Sequence, residues 1–408
     1  MTNQSHHGSV LGFIVAAFSF ALIYMASASP VPLFGFYRES LHLSHADLSI
    51  AAVCYFVGAI SALLFCAKVS DFVGRRTALS ANLLFSISTC LIFALLDNTA
   101  MLMFGRLMQG FACGLASSVA AVYVVDNTPA LRHALGAAVT GGAPMLGLAS
   151  GSLVSGALLQ IEVHPVGLIF WALSVALLLC VLFLPFCPAT NGRRSGVLKS
   201  LIPSVTIPKS VRHLMPQATL VFIATWSIGG FYLPFSASMA SEVLGSREPL
   251  LGGVTFAAMM TPYLLGCFIA GRVSEKSAQT IGIVVFALSI GGVAASLWTG
   301  STLFFLVLTV TGGVSWGLAF TGTLRMILKT ITKEERAGTL ATVFLISYAG
   351  AAVPNFVVST LSGLIDLVDV AGGYAVLVGA CSFVVCALNL RMQAAPESME
   401  SLCQTTPL

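Results

Sequence analysis

Twelve apolar stretches dominate the sequence, and each is about as long as a helix must be to cross a bilayer. Such a helix takes about 20 residues at a rise of 1.5 Å per residue. Between charged residues or Pro, Gly and Asn, stretches of this kind lie at 11–35, 47–67, 77–96, 100–123, 134–159, 166–187, 216–240, 249–271, 279–299, 302–325, 336–363 and 371–391. We therefore predict an all-α membrane protein with twelve transmembrane helices.

The composition fits a lipid environment for these helices. Hydrophobic residues make up 57% of the 408 residues and charged residues only 8%, whereas soluble domains carry about 25% charged residues. Lipid accepts apolar side chains on every face of a helix, so no polar stripe is needed. No small-residue cleavage pattern closes the first apolar stretch, so we expect no removable signal peptide.

Basic residues fall mostly on one side of the predicted membrane. If the N-terminus is cytoplasmic, sixteen of the nineteen Lys and Arg residues lie in cytoplasmic loops or the tail. Only Arg38 and Arg247 lie on the other side, and Arg106 alone lies inside a span. Because Lys and Arg near span ends are retained in the cytoplasm, we predict a multi-pass cell membrane protein, in bacteria of the inner membrane, with both termini cytoplasmic.

Two pairs of short sequence matches divide the twelve spans into equivalent halves. KVSD at 68–71 recurs as RVSE at 272–275, an offset of 204 residues. GFACGLA at 110–116 recurs as GVSWGLA at 313–319, an offset of 203. Two matches at nearly the same offset indicate duplicated units, the kind of repeat on which secondary transporters are built.

A polar segment separates the halves after the sixth span. It reads CPATNGRRSGVLKSLIPSVTIPKSVRHLMP at 187–216 and is rich in Pro, Ser and basic residues, as loops are. We predict an N-terminal six-helix bundle at 1–187, a cytoplasmic linker at 188–215, and a C-terminal six-helix bundle with a short tail at 216–408.

The segment AKVSDFVGRRTAL at 67–79 concentrates charge between two apolar spans. Gly74 permits a tight turn, and Arg75 and Arg76 begin the next helix at the membrane surface. An anchoring role on the cytoplasmic side would by itself account for the two arginines. An acid contributes little to topology, so we interpret Asp71 as a conformational latch. It would pair, in one state only, with a basic neighbour or with the positive N-terminal end of a helix from the other half.

This segment resembles the loop between the second and third helices of the major facilitator superfamily, where the pattern is roughly G-x-x-x-D-R-x-G-R-R. The acid, the second Gly and the final two arginines match, whereas Ala67 and Phe72 replace the leading Gly and the Arg after the acid. The resemblance implies the superfamily fold, with twelve helices in two pseudo-symmetric six-helix bundles. It also implies that Asp71 and Arg75 stabilise the outward-facing state and release it as the bundles rock.

A second segment, GRLMQGFACG at 105–114, is similar to the fourth-helix pattern R-x-x-Q-G-x-x-x-G of the same superfamily. Arg106 lies within the span, where a charge is costly unless it finds water, a partner or a substrate. One interpretation is that Arg106, about two turns from the outer edge, snorkels to the surface. The resemblance implies instead that Arg106 faces a central cavity, together with Gln109, and takes part in substrate or proton coupling.

A third segment, GAAVTGGAPMLGLASG at 136–151, resembles the G-x-x-x-G-P-x-x-G signature associated with exporters, with Ala143 in place of the Gly before the proline. Pro144 removes one backbone hydrogen bond from the helix interior, and in a bilayer we expect it to act as a hinge. Gly147 and Gly151 are four residues apart, so one face is bare enough for another helix to approach closely. Ordinary small-residue packing explains much of this stretch equally well.

The superfamily arrangement places the first, fourth, seventh and tenth helices around a central cavity near the membrane midplane. Residues on one face of each helix are the candidates for substrate contact or coupling, although any single aromatic more often packs against other helices or lipid. The candidates are Tyr24 and Ser27, Arg106, Gln109, Cys113 and Ser117, Trp226 and Tyr232, and Trp316.

The acids and histidines offer no obvious proton carrier. The first and fourth spans contain no acid, and Glu242, at the outer end of the seventh, is the nearest candidate. Ser44 with Asp47 and Thr332 with Glu335 form S/T-x-x-D/E boxes that predict helix caps. Asp126 precedes a helix start, with pairing to the Asp71 loop as an alternative. Histidines lie in loops or tails without metal-ligand spacing, so we predict no metal and no cofactor.

These features favour a secondary active transporter over other classes of membrane protein. The resemblance implies proton-coupled efflux of small amphipathic drugs or metabolites by alternating access; an importer or exchanger of a metabolite such as an organic anion is the alternative. Arg106 would favour neutral or anionic compounds. An enzyme would need a catalytic constellation, and a fixed pore has no use for a latch. We expect a monomer with small-molecule substrates, a lipid bilayer and protons as partners, and no nucleic acid.

Overall fold

The computed structural model describes residues 9–129, 133–161, 165–189, 205–246, 248–332, 335–361 and 364–404. Within these ranges twelve helical segments are long and apolar enough to cross a membrane, which confirms the predicted number of spans. The helices are α1 (Val10–Ala28 and Pro30–Ser40), α2 (His45–Cys66), α3 (Arg75–Ala94), α4 (Thr99–Asn127), α5 (His133–Ile161), α6 (Pro165–Phe183), α7 (Met215–Ser238), α8 (Pro249–Met260 and Tyr263–Ala270), α9 (Glu275–Thr299), α10 (Thr302–Thr330), α11 (Arg336–Leu361) and α12 (Leu367–Gln404).

Several helices begin or break where the sequence requires it. The Ser44 hydroxyl accepts from the Asp47 backbone N–H while Asp47 accepts from the Ser44 N–H, which confirms the capping box before α2. The Thr332 N–H likewise donates to Glu335 at 3.0 Å before α11. The two parts of α1 meet at Ser29, next to Pro30, because proline has no backbone N–H to continue the ladder.

Glycines bring α2 and α4 of the first half into close contact. A Cβ atom placed on Gly110 would lie 1.8 Å from the carbonyl oxygen of Tyr55. One placed on Gly114 would lie 2.5 Å from the carbonyl oxygen of Ala59. Only glycine permits this backbone approach, which is typical of helix pairs in membranes.

The second half repeats this packing at the expected offset. A Cβ on Gly313 of α10 would lie 2.4 Å from the carbonyl oxygen of Met259, and one on Gly317 would lie 2.0 Å from that of Tyr263. Each of these four residues is 203 or 204 positions after its counterpart in α2 or α4. The sequence repeat therefore corresponds to a repeated helix pair, while the exact bounds of the two bundles stay a prediction.

The two ends of the molecule differ in charge. We call one the basic end; it carries Lys68, Arg75, Arg76, Arg272, Lys276, Arg325 and Lys329. At the opposite end α1 finishes, α2 starts and α7 finishes. There, Glu242 of the π-helical turn Met239–Val243 that follows α7 contacts Arg38 and lies 3.1 Å from His45 Nε2.

The two halves meet closely at the opposite end and diverge towards the basic end, as α5 and α8 show. Near the opposite end the Ser152 hydroxyl donates to the carbonyl of Gly253 at 3.1 Å. Nearer the basic end, a Cβ on Gly142 would be 3.7 Å from the Leu264 side chain, and among described residues none would lie within 4 Å of a Cβ on Gly141. We call this conformation closed at the opposite end because the described bonds between the halves lie there, beside cavities that Glu39 and Ser241 line.

Candidate substrate and coupling site

The buried guanidinium of Arg106 is the centre of the candidate site. Its side chain is 0% exposed, so Arg106 does not reach the surface as the snorkelling interpretation supposed. The Nη1 atom donates to the carbonyl of Ser27 at 2.9 Å and to Gln109 Oε1 at 2.8 Å. The contact with Ser27 ties α4 to α1 at the level of the break in α1, while the contact with Gln109 lies within α4.

The break in α1 explains why its carbonyls are available. Pro30 has no N–H, so the carbonyl of Ala26, four residues earlier, has no helical donor. Gln109 Nε2 supplies one at 3.0 Å. The proline of one helix and the Arg-x-x-Gln pair of another are therefore complementary, and they hold the guanidinium in place.

Two aromatic rings enclose the remaining faces of the guanidinium. Its central carbon lies 4.8 Å from the ring centre of Tyr55 and 5.5 Å from that of Phe34, within the range of cation–π contacts. Among the described residues, the Nε and Nη2 atoms of Arg106 have no hydrogen-bond partner. Buried donors of a charged group are costly to leave unpaired, so they are available to an acceptor on a ligand.

The other predicted residues of α1 and α4 continue from Arg106 towards the basic end. The Tyr24 hydroxyl donates to the carbonyl of Cys113 at 3.3 Å, and both residues are buried. Ser117, about 16 Å along the helix from Arg106, lines a cavity at the basic end. Ser27 contributes through its backbone carbonyl, a role that side-chain patterning does not reveal.

The second half contributes an aromatic surface. Trp226 contacts Trp316, with ring centres 6.2 Å apart, and Tyr348 of α11, with ring centres 4.8 Å apart. Phe56 of α2 lies 6.1 Å from Tyr348, so the cluster reaches across to the first half. Both indole N–H groups lack a hydrogen-bond partner among the described residues.

Tyr232 lies apart from this aromatic group. Its hydroxyl is 2.8 Å from the hydroxyl of Thr309 in α10, and both residues are buried inside the second half. The structure thus brings Trp226 and Trp316 together and gives Tyr232 a partner of its own.

The charged segment between α2 and α3 forms contacts within the first half. Gly74 has φ +90°, the left-handed region that favours glycine. Arg75 donates to Asp126 at the end of α4 and lies 3.8 Å from Asp71. Arg76 donates to the carbonyl of Cys187 at 3.0 Å. The sequence left two interpretations of Asp126, a residue that precedes a helix start or a partner of this loop, and the structure favours the second.

Asp71 faces a cavity between the halves at the basic end. Its side chain is 52% exposed, and Arg75 is its one ion-pair partner among the described residues. The cavity has a volume of about 350 Å³, and its lining includes Lys68 and Asp71 of the first half and Leu340 and Phe344 of α11. The predicted latch residue thus lies opposite the first turns of a helix from the second half.

The glycines of the exporter-like segment pack α5 against α1. A Cβ on Gly147 would lie 2.3 Å from the carbonyl oxygen of Ala21, and one on Gly151 would lie 2.2 Å from that of Met25. Pro144 lies inside α5, one turn before Gly147. The packing interpretation of these glycines is thereby supported, and a hinge at Pro144 stays a prediction.

Sequence reasoning missed three parts of this arrangement. The sequence could have predicted that the carbonyl of Ala26 needs a donor from another helix, because Pro30, four residues later, has no N–H. Tyr348 lies in α11, outside the first, fourth, seventh and tenth helices that were expected to line the cavity, and no local sequence pattern marks it. The contacts of Glu242 with Arg38 and His45 join residues about 200 positions apart, which no local pattern indicates.

Comparisons with known proteins agree with this architecture. A family model described as Major Facilitator Superfamily matches residues 16–354. The chain is 27% identical over 280 residues to the multidrug resistance protein MdtL of Escherichia coli O45:K1 (strain S88 / ExPEC), covering 63% of this chain and 67% of that protein. It is 34% identical over 98 residues to the sugar transporter ERD6-like 8 of Arabidopsis thaliana, covering 24% of this chain and 21% of that protein.

Two solved structures share the fold. A mutant of the nucleoside transporter NupG superimposes with a TM-score of 0.71 at 13% identity, covering 93% of this chain and 99% of that one. A D-xylose-proton symporter superimposes with a TM-score of 0.71 at 14% identity, covering 92% and 96%. At such identities the likeness shows the fold alone. The family match spans most of the chain, so this protein belongs to the major facilitator superfamily of membrane transporters.

Proposed function

We propose that this transporter exports small amphipathic compounds by alternating access, driven by the proton gradient. The difference between the two ends carries the proposal. Cavities lie between the halves at both ends, but among the described residues the hydrogen bonds and ion pairs that join the halves lie at the opposite end. These are the contacts of Glu242 and the bond between Ser152 and Gly253. The likeness to MdtL, a multidrug resistance protein, supports the direction of transport.

The cycle begins with entry of substrate at the basic end, which we take to be cytoplasmic from the excess of Lys and Arg there. Rocking of the halves would then close the cavity and bring Asp71 against the first turns of α11, which begins at Arg336. A carboxylate is stabilised at the positive N-terminal end of a helix. Asp71 would therefore hold the outward-facing state and release it in the state described here.

The substrate class follows from the groups that lack partners. The Nε and Nη2 atoms of Arg106 and the indole N–H groups of Trp226 and Trp316 are donors, and the rings around them are apolar. Among the described residues of α1 and α4, no carboxylate lies at this level to attract a cation. Neutral or anionic amphipathic compounds with acceptor groups fit this surface better than cations do.

The proton step of the proposed cycle is assigned to Glu242. Glu242, which follows α7 at the opposite end, lies 3.1 Å from His45 Nε2 at the start of α2. Loss of their mutual contact on protonation of Glu242 would weaken the closed end and favour opening. The proton step would then occur at the mouth from which substrate leaves.

Transport into liposomes tests the proposal. Purified protein should move a labelled amphipathic anion with saturation, in the direction opposite to the proton flow that an imposed pH gradient drives. Chemical conversion of the compound would indicate an enzyme, and unsaturable current would indicate a channel.

Import or exchange of an organic anion is the second candidate function. The observation that favours it is the pair of unpartnered donor atoms on Arg106, which suit a carboxylate. In the same liposomes an importer would move an organic acid along with protons, and an exchanger would require the acid on both sides.

A further inference from the structure

A second cavity lies inside the C-terminal bundle at the basic end, away from Arg106 and from the cavity that contains Asp71. It has a volume of about 220 Å³ and lies between α7, α9, α10 and α12. The polar residues that line it are Gln217, Glu275, Lys276, Lys329, Thr330 and Asn389. None of these residues belongs to the substrate and latch sites described above.

One lining residue is buried with an unmet hydrogen-bonding group. Gln217 is 2% exposed, and its Oε1 atom has no partner among the described residues. Its Nε2 atom has only a long contact of 3.7 Å to the sulfur of Met326. A buried amide oxygen without a donor is unfavourable, so this side chain suits a ligand that brings a hydroxyl or another donor.

The charge around the cavity is positive. Glu275 lies 3.3 Å from Arg325 Nη2 and 3.6 Å from Lys329 Nζ, so its carboxylate is already shared between two cations. Lys276 adds a third positive charge against this single acid. The excess favours an anion at the mouth of the cavity, next to the start of α9.

In the N-terminal bundle the corresponding space is filled by protein. The Tyr123 hydroxyl donates to the carbonyl of Pro188 at 2.8 Å, and Arg76 donates to the carbonyls of Pro185 and Cys187 at 3.1 Å and 3.0 Å. A Cβ on Gly12, at the start of α1, would lie 3.2 Å from the ring of Pro188. The chain that follows α6 therefore occupies the space between α1, α3 and α4.

The offset of 203 residues relates the two sites. Tyr123 corresponds to Met326, and Asp126 corresponds to Lys329. In the C-terminal bundle α12 continues as a helix past Asn389, so within the described part of the chain no counterpart of the turn at Pro185 fills the space. The cavity of the second bundle thus lies at the place that the turn after α6 occupies in the first.

We propose that this cavity binds a phosphate ester that carries a free hydroxyl, supplied as the glycerol phosphate headgroup of an anionic phospholipid in the adjacent leaflet. The phosphate accepts from Lys276 and Lys329, and a glycerol hydroxyl donates to Gln217 Oε1. Basic pockets between transmembrane helices on the cytoplasmic side are suited to anionic headgroups.

Thermal stability in detergent with added lipid tests the proposal. Phosphatidylglycerol should stabilise the wild-type chain more than phosphatidylcholine does. Lys276→Ala should weaken binding about fivefold, and removal of Lys329 as well should weaken it by a similar further factor. Arg212→Ala is the matched control, because Arg212 is an exposed basic residue just before α7 that does not line the cavity.

The hydroxyl contact has its own test. Wild-type protein should bind phosphatidylglycerol more tightly than phosphatidylmethanol, which lacks the glycerol hydroxyls, in native mass spectrometry. Gln217→Leu should abolish this difference while it retains binding of both lipids through the lysines. A leucine fills the site with an apolar group of similar size, so the fold is expected to survive.

Two results would overturn the proposal. Equal binding of phosphatidylglycerol by wild-type and by the Lys276→Ala, Lys329→Ala double variant would show nonspecific annular lipid. Stabilisation by soluble glycerol 1-phosphate, with none by phosphatidylglycerol, would show that a soluble ester and not a lipid headgroup is the ligand.

Discussion

The two bundles share a backbone arrangement and differ in the chemistry placed on it. In the first, Arg106 of α4 donates to the carbonyl of Ser27 in α1. At the matching position 203 residues later, Thr309 of α10 bonds the hydroxyl of Tyr232 in α7. The contact of Arg106 is thus charged and leaves two of its nitrogen atoms without an acceptor among the described residues. The contact of Thr309 is neutral, and its hydroxyl and that of Tyr232 are hydrogen-bonded to each other. A symmetric scaffold can therefore confine its charge to one half.

The basic end shows the same asymmetry. In the first bundle Arg75 at the start of α3 contacts Asp126 at the end of α4. In the second, Glu275 at the start of α9 contacts Lys329 at the end of α10, so the signs are reversed. Glu275 is engaged within its own bundle, whereas Asp71 stays half exposed. Asp71 can therefore reach the second half, whereas Glu275 is held within its own bundle.

The largest expected effect comes from removing the charge of the first bundle. Arg106→Ala should reduce transport in liposomes to the protein-free background, because we propose that the buried guanidinium donates to substrate. Thr309→Ala should retain most transport, since it removes one neutral hydrogen bond. Size-exclusion profiles would show that both variants are folded. Full transport by Arg106→Ala would remove this residue from the mechanism.

The shared scaffold should respond equally in both halves. Gly110→Ala and Gly313→Ala each place a methyl group against a backbone carbonyl, so each should lower the free energy of unfolding by about 1–3 kcal/mol. Gly141→Ala is the control, because it has open space among the described residues. Denaturation in detergent measures all three. A large effect in one bundle alone would contradict the repeated packing.

The proposed latch role should be confined to Asp71 of the first half. Asp71→Asn should slow turnover roughly twofold to fivefold, as expected for loss of a carboxylate at a helix N-terminus, with KM nearly unchanged. Glu275→Gln should leave turnover close to wild type, because its contacts stay within one bundle. Initial rates over a range of substrate concentrations separate the two parameters. Unaltered turnover in Asp71→Asn would exclude a latch role.

The smallest effect is expected at the opposite end. Glu242→Gln removes an ion pair with Arg38 that is about one third exposed, and such pairs contribute at most about 1 kcal/mol. Labelling of a cysteine introduced at Ala237, which is buried at this end, should therefore rise by no more than about fivefold. Glu39→Gln, a nearby exposed acid, is the control. Equal labelling in all variants would show that the pair does not hold this end closed.

Much of the architecture was predictable because it depends on short-range patterns. Runs of about 20 apolar residues specify the spans, and Ser44 with Asp47, three positions apart, specifies a helix start. The repeat was visible because small residues at 110 and 114 recur at 313 and 317. That Arg106 would need a partner also followed from its place in an apolar run.

The partners themselves were not predictable, because they join positions far apart in the chain. Nothing local to Arg106 indicates the carbonyl of Ser27, 79 residues earlier. From sequence Asp126 was interpreted as preceding a helix start, with pairing to the Asp71 loop as an alternative, and only packing placed it beside Arg75. The aromatic contact of Tyr348 with Trp226 likewise depends on how α11 crosses α7.

By itself the sequence determined that the chain is a repeated array of twelve apolar helices with one arginine in their midst, because those properties depend on solvent transfer and local spacing. Tertiary structure alone decided which end is closed, which acid Arg75 contacts, and that the second bundle keeps a cavity where the first is filled. These outcomes depend on the packing of helices whose contacting residues are separated by tens to hundreds of positions, and no local pattern encodes that geometry.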